Sequence, residues 1–337
     1  MKVSVLLKLV RLAVSAGLIV FLVVRLDVGE IASHLGGLAL LPLALAALTD
    51  LGMIAVQAWR WNILLRARGI AIRGVKLVYY YLVSIFFSAF LPTSVGGDVA
   101  RIVAVSTATD KRADAVASIV VERIMGFFVL LPVSLAALPF VAGDLKEWKI
   151  ILTAEAVGVL LVAGFLVILI RPVARTVSRV LNPVFGLLAR FKARDRLERL
   201  YAAVLLYRDS RSALAKALAL SLVSRLMWIL ACYLIGRAFP IEGLSLPVLL
   251  LVAPIVELAR MVPVSISGIG VREAAFVAML RQFGIKDSLS FSFGFMVYLV
   301  FFLFAVAGGV LYGARSLARS QSEGKTAGPA AGPGDAV

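Results

Sequence analysis

Apolar segments separated by short polar ones make up most of this chain. Six of them are long enough, or nearly so, for a helix that crosses a bilayer, which needs roughly 20 residues; they lie at 9–26, 37–58, 114–141, 150–170, 215–238 and 288–313. Two further apolar segments, 75–107 and 246–283, are interrupted by Pro, Ser and Gly. The pattern predicts an all-α fold, a polytopic membrane helix bundle formed by residues 1–315.

The two interrupted segments carry nearly the same phrase. The first reads Leu91-Pro92-Thr93-Ser94-Val95-Gly96-Gly97-Asp98-Val99-Ala100-Arg101, and the second reads Val262-Pro263-Val264-Ser265-Ile266-Ser267-Gly268-Ile269-Gly270-Val271-Arg272. Pro and Gly break helices, and a break that faces lipid would leave backbone groups unpaired. Each segment is therefore predicted to form two half-helices, 75–90 with 98–107 and 246–261 with 269–283. Matching breaks in two halves of a membrane protein indicate a binding site where the repeats meet.

The composition supports a membrane location. Hydrophobic residues make up 62% and charged residues 16% of the 337, whereas soluble domains average about 45–50% apolar and about 25% charged residues. The net charge of +16 would indicate nucleic acid in a soluble protein. In a membrane protein, excess Lys and Arg is typical of cytoplasmic loops, so no nucleic-acid partner is expected.

The distribution of Lys and Arg predicts the orientation. They concentrate after the second span, after the first interrupted segment, in 171–214 and in the tail, whereas the remaining loops are short and mixed in sign. The basic set is predicted to be cytoplasmic, with both termini inside. If both interrupted segments are re-entrant, they enter from opposite sides and form an inverted repeat. The alternative is that both cross fully as kinked helices.

Two cytoplasmic regions have distinct patterns. The connection 171–214 carries apolar residues at helical spacing with Arg between them. It is predicted to form basic amphipathic helices that lie flat on the membrane or, equally, pack under the bundle. The tail 316–337 is rich in Gly, Ala, Pro and Ser and is predicted to be disordered.

The second half-helix of each phrase is a candidate anion site. Its free N–H groups and positive dipole end suit a phosphate. Arg101 and Arg272 lie in the first turns of these half-helices, and Arg binds a phosphate through two parallel hydrogen bonds. The alternative is that each Arg only pairs with an acid, as Arg101 would with Asp98. The turn residues counted with these sites are Ser94, Gly97, Ser265 and Gly268.

Further ionisable residues lie deep in apolar segments: Asp50, Glu122, Arg123, Arg225, Glu257, Arg260 and Glu273. A charge at the bilayer centre costs about 2.5–3.5 kcal/mol on insertion scales, so each should face the interior and have a partner. Adjacent residues do not share a helix face, so Glu122 and Arg123 are expected to point to different places. Together with the two phrases, these residues predict a polar, lipid-binding cavity.

Other chemistry is not expected. The chain has one Cys and one His, which argues against a disulfide framework and a His/Cys metal site. It has no Walker A, nucleophile-elbow or His-Glu-x-x-His motif, so no cofactor, metal or catalytic residue is assigned. Trp59-Arg60-Trp61, at the cytoplasmic end of a span, is typical of interface anchors.

The combined motifs resemble those of a known family, the flippase-like integral membrane proteins that include the transmembrane region of bacterial lysylphosphatidylglycerol synthases. The resemblance rests on Trp59-Arg60-Trp61 with its basic loop, on the first phrase through Arg101, on Val121-Glu122-Arg123 and on Gly268-Ile269-Gly270-Val271-Arg272-Glu273. It extends over about residues 5–315.

The resemblance implies a role in moving or handling polar or charged lipids at the bacterial inner membrane, with re-entrant helices around a central lipid-binding cavity. Asp98 stands where the family often has Glu, which keeps the charge and shortens the reach. The sequence lacks the large soluble aminoacyl-transferring domain of the two-domain synthases, so lysyl transfer is not expected.

The function predicted from these observations is that of a lipid flippase or transporter, with Arg101 and Arg272 gripping a lipid phosphate on alternate sides. One alternative is an integral-membrane enzyme that acts on a lipid phosphate or polyprenyl carrier, with Asp98, Glu122 or Glu257 as base. Another is a scaffold that holds lipid-synthesis enzymes through 171–214. Membrane lipids are the expected ligands, and the oligomeric state and the identity of the lipid are left open.

Overall fold

The computed structural model describes residues 36–90, 96–141, 206–260 and 267–326, together with Ser265 and scattered positions from 143 to 160. Within these ranges the ordered elements are all helices, without strands, which confirms the predicted all-α fold. The predicted span at 9–26, most of the connection 171–214, and residues 91–95 with Ser94 lie outside the described residues.

Nine helices fall within the described ranges. They are α1 (Leu40–Ala67), α2 (Gly74–Phe90), α3 (Gly96–Ser106), α4 (Arg112–Val141), α5 (Ile151–Leu160), α6 (Arg211–Arg237), α7 (Leu246–Arg260), α8 (Val271–Leu280) and α9 (Asp287–Thr326). Single 3-10 turns cover Leu206–Asp209 and Arg281–Phe283. Four helices, α1, α4, α6 and the Asp287–Ser316 part of α9, are long and apolar enough to cross a membrane.

The end of α9 differs from the predicted tail. The helix continues past its apolar part to Thr326, so the first residues of the segment 316–337 are helical rather than disordered. The physical reason is that no proline interrupts this part of the sequence before Pro329. The rest of the tail lies outside the described residues.

Helices α1 and α6 form a long antiparallel pair. At one end the backbone N–H of Ala39 donates to the carbonyl of Ala238 over 3.2 Å. Further along, Arg60 of α1 donates to the hydroxyl of Ser221 in α6 over 2.9 Å. Because residue numbers rise along α1 as they fall along α6, the two helices run in opposite directions over most of their length.

The first interrupted segment forms α2 and α3, and α2 packs antiparallel on α9. The guanidinium of Arg315 lies 3.8 Å from the ring centroid of Tyr79 near the start of α2. The rings of Phe90, at the end of α2, and Phe302 are 5.8 Å apart. Phe302 stands in the middle of the apolar part of α9, so α2 ends at mid-height of its long neighbour.

Helix α3 then runs back along α2. Gly97, at the start of α3, lies against the carbonyl of Ser84 and the hydroxyl of Ser88. One turn further on, the guanidinium of Arg101 lies 4.4 Å from the ring centroid of Tyr81. The first interrupted segment is therefore a helical hairpin.

The second interrupted segment forms α7 and α8, which pack against each other. The Ser134 hydroxyl of α4 donates to the Leu251 carbonyl of α7 over 3.0 Å. Leu131 and Leu258 both lie beside Gly158 of α5, so α7 runs antiparallel to α4 and ends near its middle. The turn before α8 has positive φ angles at three of its four residues, Ser267, Gly268 and Gly270.

Helices α2 and α7 therefore both end beside the middle of a long apolar helix. The outer faces of the long helices expose large apolar side chains such as Leu45, Leu48, Leu222 and Leu303, as expected of surfaces that face lipid. These faces, with the four long apolar helices, make this a multi-pass membrane protein. The re-entrant arrangement, the inverted repeat and the orientation of the termini stay predictions.

Candidate functional site

A single buried carboxylate joins the first four helices. Glu122 of α4 accepts hydrogen bonds from Arg60 of α1 over 2.5 Å and from Arg101 of α3 over 2.8 Å. The hydroxyl of Tyr81 in α2 also donates to Glu122. Because a buried charge requires paired and hydrogen-bonded neighbours, these bonds hold α1, α2 and α3 in register around α4.

Asp98 extends this cluster on the side of α3. Its carboxylate accepts a hydrogen bond from Arg101 over 2.6 Å and another from Arg123 of α4. The adjacent Glu122 and Arg123 therefore bind different residues of α3, Arg101 and Asp98 respectively, within one cluster. Asp98 and Arg101 lie one turn apart on α3. Their side chains therefore reach both Arg123 and Glu122, which point in different directions from α4.

The interpretation of Trp59-Arg60-Trp61 as an interface anchor is wrong for two of the three residues. Arg60 and Trp61 are buried, and the indole N–H of Trp61 donates to Ser118 over 3.0 Å. Trp59, by contrast, is 60% exposed and fits an interface anchor. The signal that could have identified Arg60 is Glu122 itself, because a deep carboxylate needs a cation from another helix.

A second cluster lies between α6 and α7. The carboxylate of Glu257 lies 3.0 Å from the guanidinium of Arg260, one turn further along α7. It lies 3.7 Å from the guanidinium of Arg225 in α6. One carboxylate is thus shared by two arginines, whose side chains are 19% exposed for Arg225 and 32% for Arg260.

The turn that follows α7 packs directly on this cluster. A Cβ atom at Gly268, where φ is +77°, would overlap the side chain of Arg260. The hydroxyl of Ser265 in the same turn is buried and has no hydrogen-bond partner among the described residues. A buried hydroxyl without a described partner, three residues before the contact of Gly268 with Arg260, is a polar group available to a bound ligand.

Arg272 is held differently from the other arginines. Its guanidinium lies 2.8 Å from the carboxylate of Glu273 and 4.8 Å from the ring centroid of Tyr298. Glu273 also accepts the backbone N–H of Gly270 over 2.7 Å, which caps α8. The side chains of Arg101 and Arg272 are only 6% and 2% exposed. Both arginines therefore pair with nearby acids, which is the alternative to phosphate binding that the sequence left open.

The two clusters adjoin each other. Ser221, which accepts a hydrogen bond from Arg60, and Arg225 are one turn apart on α6. We call them the first network (Arg60, Asp98, Arg101, Glu122, Arg123) and the second network (Arg225, Glu257, Arg260). The second network contains two arginines and one carboxylate, so its described part carries a net positive charge.

Comparison with known proteins identifies the family. Residues 8–309 match the family model described as the lysylphosphatidylglycerol synthase TM region. The chain belongs to this family. A search of curated proteins finds no match, and neither does a search of solved structures. The match confirms the resemblance predicted from the motifs and makes this a membrane protein with a lipid-related role.

In this member of the lysylphosphatidylglycerol synthase TM family, an open groove adjoins the first network. It has a volume of about 650 Å³ and lies between the end of α1 and the start of α6. Its lining includes Trp59, Arg66, Arg211 and Lys216. Trp59 immediately precedes Arg60 in α1. The aromatic and basic surface of the groove therefore lies next to the part of α1 that contributes Arg60 to the first network.

Tyr207 connects the segment before α6 to α1 beside this groove. Its hydroxyl donates to the carbonyl of Leu64 in α1 over 2.9 Å. Burial raises the pKa of the Tyr207 phenol above its ordinary value, because the phenolate would lose its hydration. Tyr207 therefore acts as a neutral hydrogen-bond donor that ties the segment before α6 to the end of α1.

Proposed function

We propose that this protein is a membrane lipid flippase or transporter that carries a lipid with a phosphate-bearing headgroup through a central polar cavity. The observation that carries the proposal is the excess of one arginine over carboxylates in the second network, which lies next to a helix break. An uncompensated buried cation is costly, and a phosphodiester, which has one negative charge, would neutralise it.

The exposure of the arginines separates their roles. Arg225 and Arg260 share one carboxylate and are partly exposed, so they are suited to bind a headgroup. Gly268 packs on Arg260, and Ser265 lies three residues before it in the chain. Arg101 and Arg272 are almost fully covered and tightly paired, so we assign them to holding α3 and α8 in place rather than to gripping phosphate.

The same contacts favour transport over catalysis. Asp98, Glu122 and Glu257 are the carboxylates that an enzyme of this fold would use as bases. Each of them is bound to two guanidinium groups. A carboxylate stabilised in its ionised form by adjacent cations is a poor proton acceptor, so these residues are better suited to balancing arginine charge than to removing protons.

Reconstitution tests the proposal. Purified protein would be placed in vesicles that contain a fluorescent phospholipid, and movement between leaflets would be followed by chemical quenching from outside. Arg225→Gln and Arg260→Gln each remove one charge-assisted contact, worth about 1.5–3 kcal/mol, so we expect transport to slow by about 10-fold or more. Arg237→Gln, an exposed site at the end of α6, is the matched control and should transport at the wild-type rate.

Elution from a sizing column in detergent would establish that each variant is folded. Wild-type rates in both Arg225→Gln and Arg260→Gln would contradict the proposal. A change in the mass of the lipid after incubation with the protein would instead favour the enzymatic alternative.

A further inference from the structure

Asp50 is a buried acid that neither network uses. It is the charged residue of the apolar stretch 40–58, and it is 8% exposed. The buried residues Ala46 and Ile54 lie one turn before and after it on α1. Asp50 therefore faces the packed interior, far from either end of the helix.

The carboxyl group of Asp50 differs from the carboxylates of the two networks and from that of Glu273. One of its oxygens is buried and has no hydrogen-bond partner among the described residues. Asp98, Glu122, Glu257 and Glu273, in contrast, are each paired with arginine. An ionised carboxylate in such a place would be strongly destabilising, whereas the uncharged acid avoids that penalty.

The surroundings of Asp50 connect it to the second network. From α6, the titratable group within electrostatic range is the buried thiol of Cys232. The same thiol is within range of Glu257, Arg272 and Arg225. Among the described residues of α2, α4 and α9, the other elements that pack on α1, no charged side chain forms a hydrogen bond or ion pair with Asp50.

Helix α1 also carries Arg60 of the first network. Any displacement of α1 along α6 would therefore move Asp50 and Arg60 together. Gly52 marks the close approach of these helices, because a Cβ there would lie 2.9 Å from the terminal methyl group of Met227. A flexible Met side chain is the kind of neighbour that can yield to such a displacement.

We propose that Asp50 is a proton-binding site that couples lipid movement to a proton gradient. The inference rests on the proposed transport function and names its energy source. While α1 is packed on α6 as described, Asp50 holds the proton as a carboxylic acid. When α1 shifts and water reaches the carboxyl group, the O–H bond breaks, the carboxylate keeps the electron pair and the proton passes to water.

Carbodiimide labelling tests the proton-binding state directly. Dicyclohexylcarbodiimide reacts with protonated carboxyl groups in apolar surroundings, and mass spectrometry locates the adduct. We expect an adduct at Asp50 of the full-length protein in vesicles, none in Asp50→Asn, and an unchanged adduct at Asp50 in Asp110→Asn. Asp110 is exposed between α3 and α4 and serves as the matched control.

Transport under an imposed pH gradient tests the coupling. We expect phospholipid movement by the wild type to accelerate severalfold in one direction of the gradient, with proton flux reported by a dye inside the vesicles. Asp50→Asn should move lipid at one rate whatever the gradient, while Asp50→Glu and Asp110→Asn should keep the response.

The two experiments separate the possible failures. If the wild type moves no lipid under any condition, the proposed transport function fails. The labelling experiment then still decides whether Asp50 binds a proton. If Asp50 takes up no carbodiimide, or if Asp50→Asn responds to the gradient as the wild type does, the proton-binding proposal is overturned. Lipid movement by the wild type that is indifferent to the gradient also overturns it.

Discussion

At the scale of single residues, buried charge is organised around Glu122. Its two oxygens accept hydrogen bonds from Arg60, Arg101 and Tyr81, which lie on three different helices. The rings of Trp61 and Tyr81 also lie 5.0 Å and 4.4 Å from the guanidinium of Arg101, and such cation–π contacts stabilise a desolvated cation by about 2 kcal/mol. Glu122 is thus the residue on which the first network depends.

Replacement of Glu122 by Gln should destabilise the protein by about 3–5 kcal/mol, because it leaves two buried arginines without their shared counterion. The measurement is the midpoint of thermal unfolding in detergent. The control is Asp287→Asn, which removes the partner of Arg281 from an exposed pair and should cost less than about 1 kcal/mol. Equal losses in the two variants would contradict the structural role of Glu122.

At the scale of helices, small residues permit the close hairpin between α2 and α3. Gly97 packs so tightly on α2 that a Cβ would overlap the backbone carbonyl of Ser84. The Pro and Gly signals in the sequence predicted a break at this place, and the described helices begin and end close to the predicted half-helices. The sequence did not predict which helix surfaces the glycines would contact, because that depends on residues distant along the chain.

Gly97→Ala should destabilise the protein by about 1–3 kcal/mol, since the added methyl group forces α3 away from α2. Gly126→Ala, in α4, is a matched control because a Cβ there has nothing within 4 Å. It should be neutral or stabilising by up to about 1 kcal/mol, because Ala is the better helix former. Thermal unfolding of both variants is the measurement, and a loss in Gly126→Ala as large as that in Gly97→Ala would refute the packing argument.

At the scale of the whole molecule, the central question is which side of the membrane each loop occupies. Helices α2 and α7 both end beside the middle of a long apolar helix. Turns at membrane depth are tolerated where they are buried in protein or line a cavity. This geometry is compatible with the inverted repeat predicted from the two phrases, in which the hairpins enter from opposite sides.

Cysteine accessibility decides between re-entrant and fully crossing segments. Cys232, the one cysteine of the chain, would be replaced by Ala, and single cysteines would be placed at the exposed positions Ala71, Ala108 and Glu242. An impermeant maleimide applied to sealed vesicles of known orientation should label positions 71 and 108 from the cytoplasmic side and position 242 from the other. Labelling of positions 71 and 108 from opposite sides would mean that the first interrupted segment crosses as a kinked helix.

The sequence by itself determined the membrane class, the long helices and the position of the two breaks. These features follow from local causes, since the bilayer demands a long apolar helix wherever the chain crosses it, and Pro and Gly act on their own segment of backbone. The family match extends over residues 8–309.

Only the tertiary structure decided which buried charges meet. Arg60 bonds to Glu122, 62 residues away, and to Ser221, 161 residues away. Such pairs form because helix packing places them side by side, and no local pattern records that packing. The same reason explains why the sequence predicts an interface position for Arg60 although it is buried. It also explains why Arg101 and Arg272 are paired with acids, and why Asp50 is left without a counterion among the helices described.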